Sequence, residues 1–126
     1  MREAITSPAL PPAAGPFSPA VRAGDTIYVS GQVAQDPSTG KLIDGDVSAQ
    51  TEQTIENLTR VLEAAGRSLD HVLRVGVFVT DPASFRLVNE VYQRLFRAPY
   101  PARTSVVVSA LPLGAAVEID AIVDGR

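Results

Sequence analysis

One arginine and two carboxylates on two apolar segments near the C-terminus are the residues best suited to chemistry. Arg103 opens the first segment, and Glu118 and Asp120 interrupt the second, Val117–Val123. A guanidinium can hold a small carboxylate by two parallel hydrogen bonds. A carboxylate in a part-buried strand is costly unless it is paired, and burial can raise its pKa into the range used in acid–base catalysis. The three groups therefore form either a site or a structural ion cluster.

The apolar alternation of these two segments predicts an antiparallel hairpin. Placing Ala110 opposite Ala115 brings the small apolar side chains of both strands onto one face, with the pairs Val108–Val117, Val106–Ile119 and Thr104–Ala121. Because side chains alternate along a strand, Arg103 would then share the other face with Glu118 and Asp120. For Glu118 the alternatives are an acid–base group and the anionic half of an ion pair with Arg103. For Asp120 a structural ion pair is favoured.

Further candidate residues lie earlier in the chain. Gly31, next to Ser30, interrupts an apolar strand, and glycine there permits the close approach of a ligand or of another backbone; the alternative is a bulge or tight packing. No histidine is placed to activate Ser30, so a hydrolase triad has little support. Phe17 lies in a proline-rich loop that could cap a pocket or seal the sheet edge. Asn89, mildly unfavourable inside a helix, either lines a site or caps a loop.

Composition excludes several classes of function. The chain has 126 residues, no cysteine and one histidine, His71, so thiolate chemistry, sulfur ligands and a histidine-based metal cluster are not expected. The net charge is −3 without a basic run, which gives no footprint for nucleic acid. The only lysine, Lys41, lies in a turn, which argues against Schiff-base chemistry. No apolar run approaches a membrane span or a signal peptide, so we expect a cytoplasmic protein.

The hydrophobic periodicity predicts the order β-β-β-α-β-α-β-β in a single domain, residues 1–126. The first helix is predicted over 47–65, with Gly66 as its stop. The strand over 71–80 should place Leu73 on one face with Val75, Val77 and Val79. Asp81 and Pro82 should begin the second helix. This order predicts an α+β fold, one mixed sheet with both helices on one face.

The second face of that sheet would remain uncovered by helices. It would carry apolar groups among polar ones, namely Tyr28, Ser30, Gln32, Arg74, Phe78, Val107 and Ile122. Such a mixed face is not typical of plain solvent surface, and closed homo-oligomers are the common way to bury one. We therefore expect more than one copy of the chain, with polar functional groups near the boundary between copies.

Seven short segments, in order and over nearly the whole chain, resemble the RidA/YjgF (Rid) family. They are Gly15–Pro19, Val29–Val33, Ala64–Gly66, Val77–Asp81, Val88–Asn89, Pro101–Ser105 and Val117–Ala121. The resemblance implies a chorismate-mutase-like fold and a homotrimer with sites in the clefts between subunits. It also implies hydrolysis of 2-imino acids, such as 2-iminopropanoate and 2-iminobutanoate, to 2-oxo acids and ammonia, with no cofactor and no metal.

The resemblance also implies roles for individual residues. Arg103 would clamp the substrate carboxylate, and Glu118 would handle the attacking water and return a proton to the amine. Backbone groups of Gly31 and Ser105 would contact the imine end, while further pocket residues would be Phe17, Ser30 and Asn89. A protonated imine is already electrophilic, so positioning and one acid–base group can suffice.

Two positions depart from the family pattern. The usual tyrosine after Gly-Pro is Phe17 here, which removes a pocket hydroxyl. Ser105 stands where many members have cysteine. The first departure keeps a second hypothesis open, a trimeric family member that binds a small carboxylate, or acts as a chaperone, without turnover. A ribonuclease, reported for some relatives, is supported neither by charge nor by a catalytic histidine pair.

Overall fold

The computed structural model describes residues 1–11 and 13–126, and they form one six-stranded mixed sheet with two α-helices packed on it. The sheet order is β1-β2-β3-β6-β4-β5. The elements are β1 Glu3–Ile5, β2 Ala20–Ala23, β3 Thr26–Gln32, α1 Val47–Ala64, β4 Val72–Val79, α2 Phe85–Leu95, β5 Ala102–Val107 and β6 Val117–Asp124. The α+β class and the order of elements are confirmed.

Helix α1 has the start and stop that its sequence predicts. The Asp46 side chain accepts a hydrogen bond from the Ala49 amide at 2.9 Å, which caps the first turn. Gly66 follows the helix with a φ of 71°, a conformation that glycine adopts without strain. The face turned to the sheet is buried and includes Thr51, Ile55, Leu58 and Leu62. Their burial holds the helix across β3 and β6.

Helix α2 begins later than its sequence suggests. Asp81 caps a short 3-10 turn, Pro82–Ser84, by accepting from the Ala83 amide at 2.9 Å. The α-helix proper then runs from Phe85. Its buried residues are Val88, Val91 and Tyr92, and the Tyr92 ring stacks on that of Phe96, with ring centroids 4.3 Å apart. Helix α2 packs beside α1, so its outer side is left free to border a site.

The predicted closing hairpin is wrong. Strand β5 pairs in parallel with β4, and β6 pairs antiparallel with both β3 and β4. Every second residue of β6, from Val117 to Val123, is buried, as expected of a central strand, whereas β5 is mostly exposed and forms the sheet edge. Alternation correctly identifies the buried face of β6, but it does not identify which strand lies beside it.

The corrected register separates the three charged groups. Arg103 lies opposite Val75, whose side chain is buried under the helices. Glu118 lies opposite Phe78, on the face without helices, and Asp120 lies opposite Gly76 on that same face. The prediction that Arg103 shares a face with the two carboxylates is therefore wrong, because β4 intervenes and the strands alternate differently.

Strand β4 carries a second departure from the predicted pattern. Its pairing with β6 shifts between Val72 and Arg74, so Leu73 falls in an irregularity and is 55% exposed. Val72 takes the buried position that the alternation assigned to Leu73. A single extra residue in a strand reverses the side-chain order on one side of it.

The face without helices is partly apolar, as predicted. Tyr28 is 47% exposed there, and Ile122 pairs with it across β3 and β6. Phe78 lies on β4, and Val106, which pairs with Phe78, extends the apolar surface to the edge strand. Val107, predicted on this face, instead lies opposite the buried Val79 on the helix-bearing face.

Candidate functional site

The site residues predicted from the sequence divide between two cavities. One cavity, of about 470 Å³, is bordered by Phe17, Ser30, Gly31 and Glu118. The other cavity, of about 250 Å³, is bordered by two more of the predicted residues, Asn89 and Arg103. Its other lining residues are Tyr92, Gln93, Tyr100 and Pro101. Within one chain the predicted acid–base group and the predicted carboxylate clamp are therefore separated by the sheet.

Glu118 and Gly31 are in immediate contact in the larger cavity. A Cβ atom added to Gly31 would lie 2.7 Å from the Glu118 Cδ and 3.0 Å from each carboxylate oxygen. Any side chain at residue 31 would displace the carboxylate, so the missing side chain of Gly31 leaves the space that the Glu118 carboxylate occupies. Of the alternatives for Gly31, a bulge or tight packing, the bulge is confirmed, because the β3–β6 register shifts between Val29 and Gln32.

The environment of Glu118 favours its protonated form. Partial burial raises the pKa of the Glu118 carboxyl, and the nearby Asp120 carboxylate raises it further. Glu118 makes no ion pair with any residue in the described ranges 1–11 and 13–126. The predicted alternative, an ion pair with Arg103, is thus not formed within the chain. A half-buried, unpaired carboxylate with a raised pKa is suited to accepting and returning a proton.

The Asp120 carboxylate hydrogen-bonds to the backbone of β4. Its Oδ1 accepts a hydrogen bond from the Gly76 amide at 2.8 Å, and the structural ion pair predicted for Asp120 is not found among the described residues of one chain. A Cβ atom at Gly76 would lie 2.5 Å from the same oxygen. Asp120 is therefore fixed over β4, where its negative charge acts on Glu118.

Ser30 fastens the loop that carries Phe17. The Ser30 hydroxyl donates to the Ser18 carbonyl at 2.6 Å, and the Ser30 amide donates to the Pro19 carbonyl at 2.9 Å. The only hydroxyl hydrogen is therefore used, and Ser30 is left to accept rather than donate toward the cavity. Phe17, held by this loop, is 56% exposed and presents an apolar edge to the cavity.

Arg103 is held without a carboxylate partner. Its Nε donates to the Ser105 hydroxyl at 2.6 Å, and its guanidinium carbon lies 5.0 Å from the centre of the Tyr92 ring. Partial burial lowers the pKa of Arg103, while the nearby Tyr92 has the opposite, smaller effect. An arginine remains charged in proteins even so, and no salt bridge to Arg103 is found in the part of the chain that the structure describes.

Asn89 lies on the outer side of α2, beside the Arg103 cavity. It is exposed, and its side chain bonds to no other residue among those described, so the alternative that it caps a neighbouring loop finds no support. Its amide is free to face a ligand near Arg103.

Sequence reasoning missed two aromatic members of the Arg103 cavity. Neither Tyr92 nor Tyr100 is among the site residues predicted from the sequence. Only 5% of Tyr92 is exposed, and its ring lies under the Arg103 guanidinium. The correct register would have revealed this contact, because it places Arg103 beside the buried Val75 on the helix-bearing face, whereas the predicted hairpin placed Arg103 on the other face.

No metal centre is found in the described residues, where no three histidine, cysteine, aspartate or glutamate side chains come together. In the same ranges neither helix is long and apolar enough to cross a membrane.

Comparison with known proteins relates this geometry to a family. A family model described as Endoribonuclease L-PSP matches residues 7–124. Protein DfrA of Myxococcus xanthus is 50% identical over 123 residues, covering 96% of this chain and 94% of its own. The human 2-iminobutanoate/2-iminopropanoate deaminase is 39% identical over 122 residues, covering 97% and 89% respectively.

Solved structures agree with these sequence matches. The crystal structure of RidA from the Antarctic bacterium Psychrobacter sp. is 43% identical and superposes with a TM-score of 0.92, covering 97% of this chain and 98% of its own. The chain therefore belongs to the Endoribonuclease L-PSP family, the RidA/YjgF family that its motifs resemble.

Proposed function

We propose that the protein hydrolyses small 2-imino acids, and the enamines in equilibrium with them, to 2-oxo acids and ammonia. The observation that carries the proposal is the presence of two groups, Arg103, which has no counter-ion among the described residues, and Glu118, a half-buried carboxylate with a raised pKa. A 2-imino acid needs both, because it presents a carboxylate for binding and a C=N bond that must gain water and exchange protons.

The two groups cannot serve one substrate within a single chain. Strands β5 and β6 are both paired to β4, so their backbones lie about 10 Å apart at the usual strand spacing. Arg103 also lies on the helix-bearing face and Glu118 on the open one. We propose that the chain, as one domain over residues 1–126, forms a homotrimer in which Arg103 of one subunit approaches Glu118 of its neighbour.

The open face supplies an apolar surface suited to this assembly. Tyr28, Phe78, Val106 and Ile122 lie on it, and burial of such a surface stabilises association by about 25 cal/mol per Å². Arg103 and Ser105 lie on the edge strand β5, where a neighbouring subunit can meet them. Formation of the proposed trimer would thus bury the apolar face and, in the same step, bring Arg103 of one subunit to Glu118 of the next.

In the proposed mechanism, two nitrogens of the Arg103 guanidinium hold the substrate carboxylate. Glu118 takes a proton from a water molecule as its oxygen bonds to the imine carbon, and the C=N bond becomes a C–N single bond. Glu118 then gives that proton to the nitrogen. From a protonated imine this gives an intermediate with a hydroxyl and an ammonium group. Glu118 takes the hydroxyl proton as the carbonyl forms and the C–N bond breaks, and it then passes that proton to the departing ammonia.

The remaining predicted residues border this reaction. We propose that the backbone at Gly31 and at Ser105 contacts the imine end. Asn89 and the Ser30 oxygen would line the pocket, and Phe17 would close it with an apolar edge. For Phe17, Ser30, Gly31 and Asn89 these assignments rest on the cavity borders and on the family resemblance, and for Ser105 they rest on the resemblance alone.

The proposal is tested by generating 2-iminopropanoate or 2-iminobutanoate in situ with an amino acid oxidase or a dehydratase, and by following the release of 2-oxo acid. The wild type should accelerate release well beyond the uncatalysed rate, and Arg103→Ala should lose most of the acceleration. Arg60→Ala on α1, which removes an arginine that borders neither cavity, is the matched control and should retain it. Wild-type release equal to the buffer rate contradicts the proposal.

A second function, binding of a small carboxylate without turnover, is favoured by one observation. Phe17 leaves the larger cavity without the tyrosine hydroxyl of the family. In that case 2-oxobutanoate should raise the melting temperature of the wild type, and not of Arg103→Ala, while imine hydrolysis stays at the buffer rate.

A further inference from the structure

We propose that Tyr92 is a positioning residue for Arg103: its buried ring and the Ser105 hydroxyl hold the guanidinium so that its two terminal nitrogens face the ligand carboxylate. The inference deepens the proposed function and rests on it for the identity of the ligand, a small 2-imino or 2-oxo acid. The contact itself does not depend on turnover.

The guanidinium meets two different partners on two different parts of its surface. The Ser105 hydroxyl occupies the Nε hydrogen at 2.6 Å, and the Tyr92 ring lies 5.0 Å below the central carbon. Of the five N–H groups of an arginine, the four on the terminal nitrogens are left for a ligand. That is the edge which pairs with a carboxylate through two parallel hydrogen bonds.

The Tyr92 ring is itself fixed. It is almost fully buried, stacks on Phe96 with centroids 4.3 Å apart and meets Tyr100 at 6.3 Å. A ring fixed in this way restrains the cation above it through its negative face. Since no described carboxylate competes for Arg103, the aromatic face is what holds the charge in place before the ligand arrives.

The Tyr92 hydroxyl provides a built-in control. Its oxygen is buried and has no hydrogen-bond partner in the described part of the chain. If the ring alone positions Arg103, Tyr92→Phe should keep both the aromatic face and the function. Tyr92→Leu removes the face and should impair carboxylate binding.

The experiment compares these two variants in the wild-type and Arg103→Ala backgrounds. Tyr92→Leu should raise the KM for the imine, or the Kd for 2-oxobutanoate, by about two- to thirty-fold, the range of a cation–π contact. Tyr92→Phe should stay within about twofold of the wild type. In the Arg103→Ala background, neither change should have a further effect, because the partner is gone.

A purely structural role for Tyr92 would give a different pattern. Leu62→Ala removes buried volume in α1, away from Arg103, and should lower the melting temperature without raising KM. If Leu62→Ala raises KM as Tyr92→Leu does, or if Tyr92→Phe is as impaired as Tyr92→Leu, the inference is overturned. An equal effect of Tyr92→Leu with and without Arg103 overturns it as well.

A ligand-free measurement separates this inference from the proposed function. The NMR signal of the Arg103 Nε–H should carry a ring-current shift that persists in Tyr92→Phe and disappears in Tyr92→Leu. If Tyr92→Leu does not fold, Tyr92→Met fills the volume with an apolar chain and serves in its place. A shift unchanged by loss of the ring overturns the inference; absent imine hydrolysis with the shift as expected overturns only the proposed function.

Discussion

Replacement of Gly31 by alanine should disable the protein while barely changing its stability. The added Cβ would lie 2.7 Å from the Glu118 Cδ, whereas carbon atoms in contact are separated by about 3.5–4.0 Å. The carboxylate must therefore move by about 1 Å. A displacement of that size at a reacting group can lower the rate by about a hundredfold. The structural cost should be small, because the atom that moves is the end of a flexible side chain.

Gly45→Ala is the matched control, because this change should lower the stability of the fold and leave the activity unchanged. A Cβ at Gly45 would also come within 2.7 Å of its neighbour, but that neighbour is the Cβ of Ala49, which is fixed to the first turn of α1. Relief of this contact requires the backbone to shift, at about 1–3 kcal/mol. Gly45→Ala should therefore unfold at lower temperature and keep its catalytic constants.

Both variants are assayed by release of 2-oxo acid from an imine generated in situ, and their unfolding is followed in urea. The expected result is a kcat/KM about a hundredfold below wild type for Gly31→Ala, with an unfolding midpoint close to that of the wild type. A Gly31→Ala protein with wild-type kcat/KM would refute the assignment of Glu118 as the acid–base group at this position. Equal loss of activity in Gly45→Ala would attribute the effect to folding.

Three further predictions concern the charges and the missing hydroxyl. Arg103→Lys should recover little of the activity that Arg103→Ala loses, because an ammonium cannot form the two parallel hydrogen bonds or lie flat on Tyr92; kcat/KM of the two variants measures this, and wild-type activity in the lysine variant would contradict it. The raised pKa of Glu118 means that the folded state binds its proton more tightly than the unfolded state, so its ionisation reduces stability as pH rises through that pKa. Glu118→Gln should accordingly be inactive yet unfold at a higher temperature than the wild type at pH 7, and an unchanged or lower melting temperature would argue against the desolvated carboxylate. Phe17→Tyr should restore a hydroxyl to the larger cavity and change kcat/KM toward small, polar imines relative to larger apolar ones, which a substrate series measures; an unchanged ratio would place Phe17 outside the reacting pocket.

The sequence predicted most of the secondary structure because its local signals are strong. The first helix was predicted over 47–65 with Gly66 as its stop, and α1 runs over Val47–Ala64 with Gly66 just beyond its end. The start of α2 was less well predicted, because Asp81 caps a 3-10 turn before the α-helix begins at Phe85.

The pairing of strands could not be predicted in the same way. Alternation in β5 and β6 is compatible with an antiparallel hairpin, and the chain between Val107 and Val117 is short enough to form one. In the structure β4 lies between the two strands, since β6 buries a side chain at every second residue from Val117 to Val123 and needs a neighbour on both sides. That choice depends on the whole sheet rather than on either strand.

The error in pairing changed the meaning of the site. A shared face would have allowed Arg103 and Glu118 to neutralise each other within one chain. Their placement on opposite faces leaves both without an ionic partner in the described residues, and so favours a site completed by a second subunit. The contact between Tyr92 and Arg103 was missed for the same reason, because the predicted hairpin placed Arg103 on the other face from the buried apolar side chains.

A subunit-mixing experiment tests the central claim most directly. The Arg103→Ala and Glu118→Gln variants, each expected to be inactive, are unfolded, mixed in equal amounts and refolded, and native mass spectrometry checks for the proposed trimers that contain both variants. If each site takes Arg103 from one subunit and Glu118 from the next, random assembly leaves about a quarter of the sites with both wild-type residues. The account predicts recovery of about a quarter of the wild-type imine hydrolysis. Mixed trimers without any recovered activity would contradict a site shared between subunits.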